Sequence, residues 1–245
     1  MTNAEAEYRN LDDDVHVRLV FSDEVRDPAV LGRYAALLAP DERARRDRFV
    51  FEKDRHQFLV TRGVIRTLLG RYLDVEPAAC VFVADQYGRP ALSHPSGSQI
   101  AFNISHTSGL VVCAIAREPE LGVDVEDASR DVGPDLARRF FSPTEADALD
   151  RLEGPARTAR FFEYWTLKEA YIKARGMGFS LPLDGFSMAW RGDGSPCIRF
   201  TPAIDDDPEA WQFAQFRPSP RYQMAIAVRR RERDRAIQLH TLRVE

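Results

Sequence analysis

Cysteine is scarce in this 245-residue chain: there are three, Cys80, Cys113 and Cys197. They are odd in number and far apart, so neither a disulfide framework nor a CxxC metal site can be read from them. Cys113 lies in an apolar run and reads as core. No apolar run is long enough to span a bilayer. The opening MTNAEAEYRN lacks the basic-then-apolar order of a signal peptide. A cytoplasmic protein without membrane contact is expected. Nor is one sign of charge in excess. The 34 basic and 38 acidic side chains leave a formal net charge of −4, which argues against nucleic-acid binding by bulk charge. A local basic pocket is compatible with that average. Apolar residues are plentiful, at 44%, enough for the core of one large domain or two ordinary ones.

Val15, Val17, Leu19 and Phe21 alternate as in a half-buried strand. Asp27-Pro28 has the form of an N-cap with proline at the first helical position, opening a helix through Leu37-Leu38. A second helical stretch follows Pro40 and runs on to Leu73, with Phe58, Ile65, Leu69 and Tyr72 at helical spacing. VFVADQYGRPALS reads as a strand, a turn at Gly88 and a second strand. Ile100 to Ile104 and Leu110 to Ala116 read as strands about the Thr107-Ser108-Gly109 turn. The polar run REPE, 117–120, is the best boundary, dividing the chain into halves 1–117 and 118–245.

The second half opens on the strand LGVDVED. Ser142-Pro143-Thr144-Glu145 fits a capping box that starts a short helix. A long helix over 156–175 ends before Gly176, suited to a C-terminal cap. Phe186, Met188 and Trp190 alternate as a strand, as do Tyr222, Met224, Ile226 and Val228, and the tail from Ile237 reads as one more. Each half holds strands plus a long helix in similar order, without a residue-level repeat. The mixed-charge run 229–235 reads as a solvated turn rather than a binding patch.

If LGVDVED is a strand, Leu121, Val123 and Val125 share one face and Asp124 and Glu126 the other. Two like charges on one face repel, and a hard divalent cation offsets that. Magnesium takes oxygen ligands and is commonly shared between one or two carboxylates and substrate phosphates. A solvent-facing acidic edge is the alternative. Trp165, Glu169 and Lys173 recur at i, i+4, i+8 and share a helical face, with Lys168 one position off it. A third carboxylate beside a lysine completes a metal and phosphate site if it faces Asp124 and Glu126. The alternative is a surface ion pair contributing about 0.3–0.5 kcal/mol.

FNISHTSG places Ser105 and His106 at the end of a strand, entering a turn. There is no GxSxG elbow, and neighbours in a strand point apart, so the two make no nucleophile–base pair. A hydroxyl, an imidazole and turn N–H groups suit anion recognition; a turn in which Ser105 bonds its own backbone is equally open. Arg43, Arg45, Arg46 and Arg48 alternate with acids, the pattern of a solvated helix. Arg89, between Gly88 and Pro90, is held on a defined loop, and its planar fork suits two phosphate oxygens.

Taken in order, YGRP (87–90), FNISH (102–106), GVDVE (122–126), RRFFSPTE (138–145) and WTLKEAYIKARGMG (165–178) resemble the Sfp-type 4'-phosphopantetheinyl transferases, from about Pro40 to Trp190. The resemblance implies two similar α+β halves related by a pseudo-two-fold axis, in a single monomeric chain, with coenzyme A in the cleft between them. It implies transfer of the 4'-phosphopantetheine moiety from coenzyme A to a serine of an acyl or peptidyl carrier protein, in fatty-acid, polyketide or nonribosomal-peptide synthesis. Asp124, Glu126 and Glu169 are then the magnesium ligands, and Asp124 belongs to the coenzyme site as well. Lys173 contacts the phosphates, Ser105 and His106 the 3'-phosphate region, and Arg89 and Arg45 the nucleotide. Glu169, or a metal-bound water, takes the serine proton. The chain departs from the pattern at Glu42, where some relatives are basic. An acidic carrier helix is expected near Arg138, Arg139 and Phe140. A magnesium-dependent hydrolase of a nucleotide pyrophosphate and a non-catalytic carrier-binding module are the other open classes; the full set of carboxylates and lysine weighs against the module.

Overall fold

The computed structural model describes residues 11, 14–84, 90–133, 135–178, 181–231 and 238–243. The chain begins with β1 (Asp14–Val20), α1 (Pro28–Leu37), α2 (Pro40–Asp47) and α3 (Glu52–Leu73). The strands β2 (Val81–Ala84), β3 (Pro90–His94), β4 (Ala101–Thr107) and β5 (Leu110–Ala116) follow. After β6 (Leu121–Asp127) come α4 (Leu136–Phe140), α5 (Pro143–Asp150) and α6 (Gly154–Arg175). The chain continues through β7 (Phe186–Trp190), β8 (Pro196–Phe200), β9 (Trp211–Ser219), β10 (Tyr222–Arg229) and β11 (Gln238–Arg243).

Element order repeats. In each half a strand leads to a helix of 22 residues, α3 or α6. A two-stranded hairpin follows, β2–β3 or β7–β8, and then an antiparallel pair, β4–β5 or β9–β10. The strand orders also match: β1-β5-β4 in one sheet and β6-β10-β9 in the other. The two similar α+β halves expected from the sequence are present. One element departs from the symmetry. β11 crosses back and pairs in parallel with β1, so the tail of the second half completes the first sheet.

The layers run α3, first sheet, second sheet, α6. Val17, Leu19, Val112 and Ala114 of one sheet meet Val123, Val125, Met224 and Ile226 of the other. On its far face the first sheet packs Val111, Cys113 and Ile115 against Val64, Ile65 and Leu68 of α3. The second packs Ala225 and Ala227 against Leu167, Ala170 and Tyr171 of α6. This order buries β1 on both faces, against the half-buried expectation, because its polar side chains face protein and not water. His16 Nδ1 lies 2.7 Å from the Tyr72 hydroxyl, and Arg18 donates to the His240 carbonyl.

The continuous helix expected after Pro40 is broken at residues 48–51 into α2 and α3. Glu42 ties the two together. Its buried carboxylate accepts from the Ala39 N–H at 2.9 Å and pairs with Arg66 at 2.8 Å and Arg62 at 3.4 Å. The expected caps are formed: Asp27 accepts from Ala29 N, and Ser142 and Glu145 make a capping box. Glu145 goes on to pair at 2.8 Å with Lys168, which is fully buried and donates to the Leu183 and Phe186 carbonyls. Lys168 is therefore a packing residue. Of the mixed-charge run 229–235, residues 232–235 lie outside the described residues; Arg229 ends β10 and pairs with Glu120 and Asp206, and the exposed Arg231 donates to the Arg117 carbonyl. Among the described residues no helix is long and apolar enough to cross a membrane.

Gly122 sets how closely α6 approaches β6. A Cβ there lies 2.0 Å from the Ala170 carbonyl oxygen and 2.5 Å from the Ala174 nitrogen, so only glycine admits the helix backbone. Gly122→Ala is expected to destabilise the protein by about 1–3 kcal/mol or more, as overpacking does, because rigid backbone has to move. Urea unfolding measures this, and an unchanged midpoint contradicts the packing described.

Candidate active site

β4 and β6 are edge strands of different sheets that lie side by side. Side chains stitch them together. Asn103 Oδ1 accepts from Val123 N at 2.9 Å, and Ser105 Oγ accepts from Val125 N at 3.3 Å. Strand alternation sends Asn103 and Ser105 toward β6 and leaves Phe102, Ile104 and His106 on the α3 side.

At this seam Ser105 donates to Asp124 Oδ1 at 3.0 Å. Lys173, on α6, donates to the same Asp124 oxygen at 2.6 Å and to Ser105 Oγ at 2.9 Å. The lysine thus pairs across to the strand, which removes the surface-pair alternative with Glu169. Asp124 is 4% exposed, so the acidic strand is no solvent-facing edge. Its Oδ2 is buried without a hydrogen-bond partner, a state that native proteins seldom leave uncompensated. Glu126 Oε1 accepts from the Trp165 indole N–H at 3.2 Å, and Oε2 is held by Arg130.

The carboxylates influence one another. Burial pushes Glu169 up to about 7, and Asp124 and Glu126 add to the shift while Lys173 opposes it. Burial and then Asp124 also raise Glu126, against Arg130, Lys173 and the Trp165 N–H. They do not converge into a ligand set. Among the described residues no three His, Cys, Asp or Glu side chains gather closely enough to hold a metal ion. Like charges repel, and the two strand carboxylates are each held by a cation of the chain, Lys173 or Arg130.

Beside the seam lies a cleft of about 550 Å³ whose lining comes entirely from the first half. Arg45 of α2 and Arg62 of α3 flank the Phe58 ring, at 5.6 and 5.5 Å from its centroid. Phe82, Phe102 and Ile104 supply apolar lining. His106 opens to the cleft, yet partial desolvation, then Lys173, Arg62 and Arg45, hold its pKa below the ordinary range.

Several expectations are revised here. Ser105 and His106 sit at the end of β4 as expected, in the β4–β5 ladder opposite Val112 and Val111, and it is the reading of Ser105 as bonded to its own turn that is revised. Ser105 faces the seam, and His106 alone of the two lines the cleft. Arg45 lines it too, whereas Arg43 donates to the Leu38 and Ala36 carbonyls and Arg46 pairs with Asp47. Arg89 lies outside the described residues. Arg62 and Arg130 went unread, because nothing in their spacing separates them from other surface arginines. Gly122 had a signal: it lies two positions before Asp124, on the same strand face.

The raised pKa of Glu169 means that the folded state holds this proton more tightly than the unfolded chain. That contribution is whole below about 4.5 and lost by about 7. Glu169→Gln removes the loss. In chelator, its melting temperature should exceed that of the parent protein at pH 8 and approach it at pH 5. An offset that is equal at both pH values contradicts the assignment.

Comparison with known proteins agrees across both halves. The family model for the 4'-phosphopantetheinyl transferase superfamily matches residues 120–227, and a 4'-phosphopantetheinyl transferase N-terminal model matches residues 28–118. The 4'-phosphopantetheinyl transferase HetI of Nostoc sp. is 38% identical over 173 residues, 69% of this chain and 72% of its own. Sfp of Bacillus subtilis, also a 4'-phosphopantetheinyl transferase, is 30% identical over 194 residues, 79% of this chain and 83% of its own. The crystal structure of Thermotoga maritima holo-[acyl-carrier-protein] synthase aligns with 47% of this chain and 65% of its own, at 19% identity and a TM-score of 0.39. With relatives alike over most of their length and a family match in each half, the chain belongs to the 4'-phosphopantetheinyl transferase superfamily.

Proposed function

We propose that this 4'-phosphopantetheinyl transferase moves the arm of coenzyme A onto a carrier-protein serine at the β4–β6 seam, with Glu169 and Lys173 as its catalytic side chains. One observation carries the assignment: the Lys173 ammonium is fixed between Asp124 of β6 and Ser105 of β4, beside a cleft with an arginine wall.

The cleft suits the nucleotide. Its apolar lining takes the base, and Arg45 and His106 meet the 3'-phosphate, with Arg89 assigned to the nucleotide on the sequence motif alone. An arriving anion favours the charged form of His106, whose pKa is otherwise held down. Ser105 serves this site through Lys173, which it helps to hold.

Asp124, Glu126 and Glu169 fit magnesium by donor chemistry, although with Lys173 on Asp124 and Arg130 on Glu126 they are not gathered about one point. All are hard oxygen donors, and Asp124 Oδ2 is a buried oxygen without a partner. When bound, the ion supplies neutralisation of the charge that builds on the pyrophosphate. The serine oxygen bonds to the phosphorus that carries pantetheine, and the bond from that phosphorus to the bridging oxygen breaks. Adenosine 3',5'-bisphosphate leaves. The serine proton passes to Glu169, the carboxylate of α6 on the face that meets β6, acting as general base. Lys173 offsets phosphate charge; positioning and charge neutralisation are most of what phosphoryl transfer needs.

The carrier is received where Arg139 stacks on Phe140, which in turn packs edge-on to Trp165 at 5.8 Å. Arg138 is already engaged with Asp150. The enzyme works as a cytoplasmic monomer in this reading.

Intact mass spectrometry of apo carriers incubated with enzyme, coenzyme A and magnesium tests the whole assignment. The carrier should gain the arm, and excess chelator should stop it; cleaved coenzyme A without a carrier adduct identifies a hydrolase instead. In single turnover, Glu169→Gln should lose about 10²–10⁴-fold in rate with coenzyme A affinity retained, while Lys173→Ala should lose both. A Gln variant at parental speed removes Glu169 as base. Coenzyme A lacking its 3'-phosphate should bind about tenfold more weakly or worse, since a charge-assisted contact contributes roughly 1.5–3 kcal/mol. Equal affinity for the two compounds refutes the Arg45–His106 subsite.

A further inference from the structure

Arg130 has no task in the transfer as described, yet it occupies one of the carboxylates most needed for it. Its guanidinium holds Glu126 Oε2, while Glu126 Oε1 takes the Trp165 N–H. Both Glu126 oxygens are therefore engaged. The other strand carboxylate is held similarly, with Lys173 on Asp124 Oδ1. Each strand carboxylate thus holds one of the chain's own cations, with Asp124 Oδ2 left over.

The two cations are placed differently. Lys173 comes from the packed helix α6, and its ammonium is held by two acceptors, Ser105 and Asp124. Arg130 lies just beyond the end of β6, in a turn whose backbone N–H bonds the Asp127 carbonyl at 3.3 Å. Its side chain is 55% exposed, lies over the Phe162 ring at 5.8 Å and donates from Nε to the Asp127 carbonyl at 3.2 Å. Swinging into solvent breaks that backbone bond but moves a side chain about twice as exposed as that of Lys173, at 55% against 28%. Lys173 cannot leave so freely.

We infer that Arg130 is a built-in competitor for the divalent cation, holding Glu126 until the metal arrives and setting the affinity for the metal in the absence of nucleotide. This rests on the proposed role of Asp124, Glu126 and Glu169 as metal ligands. A guanidinium in contact with Glu126 Oε2 and a divalent ion on the same oxygen repel each other, so the ion binds only as Arg130 withdraws. The pyrophosphate of coenzyme A adds negative ligands that tip the exchange. The protein alone is then a weak metal binder, and metal and donor nucleotide enter in mutual support. Arg130 is a positioning residue: it acts through Glu126 and touches no reacting atom.

The test is manganese binding to the full chain, read from the paramagnetic resonance of free Mn²⁺, with and without coenzyme A. Without nucleotide, Arg130→Gln should bind Mn²⁺ roughly three- to fivefold tighter than the parent, the range set by a partly exposed ion pair. Arg130→Lys, which keeps the charge, should bind Mn²⁺ more weakly than Arg130→Gln. Arg191→Gln, which removes an equal charge from a pair with Glu209 elsewhere, should match the parent. With coenzyme A present the gap between parent and Arg130→Gln should shrink. If the parent binds Mn²⁺ and Arg130→Gln binds it no tighter, the inference fails and the metal reading stands. If neither binds Mn²⁺ even with coenzyme A, both fall.

Discussion

Val123 and Val125 turn their backbone N–H groups toward a strand that belongs to another sheet. Buried donors of this kind need acceptors, and Asn103 and Ser105 supply them. The hydrogen-bonded seam between β4 and β6 is thus made by two side chains. The same Ser105 oxygen that accepts from Val125 also donates to Asp124 and accepts from Lys173. Closing the seam and placing Lys173 are one act of hydrogen bonding. A substitution at Ser105 acts on architecture and chemistry together.

The helix side of the site is fixed by other means. Gly122 lets α6 lie against β6 at backbone distance, and the buried Lys168–Glu145 pair ties the middle of that helix to α5 and to the start of β7. Near its C-terminal end, Asp206 accepts from Tyr171 at 2.8 Å and is paired with Arg175, so the last turns are clamped to the β8–β9 connection. Lys173 lies between these two anchors. Its reach to Asp124 is set by a helix that has little room to slide, and this is the preorganisation that charge stabilisation in catalysis requires.

The parts of this arrangement that repeat along the chain were legible from it. Alternation in LGVDVED separated Val123 and Val125 from Asp124 and Glu126. The four-residue spacing of Trp165, Glu169 and Lys173 put them on the face that meets β6. What stayed hidden depends on contacts distant in sequence. Periodicity marks which face of a strand is apolar, not whether the polar face meets water, so β1 read as half-buried although Arg18 and His16 are enclosed. For the same reason Lys168, one step off the face that meets β6, gave no sign of its burial, and Ser105 gave none of its partner across the seam. The break between α2 and α3 falls at Arg48-Phe49-Val50-Phe51, where Phe and Val are middling helix formers but no proline or glycine marks a stop; Glu42, pairing with Arg66 24 positions on, holds the bend.

The return of β11 to the first sheet bears on the order in which the protein takes shape. Arg18 and the His240 carbonyl that it meets are 222 positions apart, and contacts over such separations carry a large loop-closure cost and form slowly. On a ribosome β1 emerges early and β5 much sooner than β11, so one side of β1 is paired while the other waits. An unpaired strand edge is a template for other chains. The first sheet is the first begun and the last finished, and synthesis of the whole second half takes place in the interval when that edge is bare.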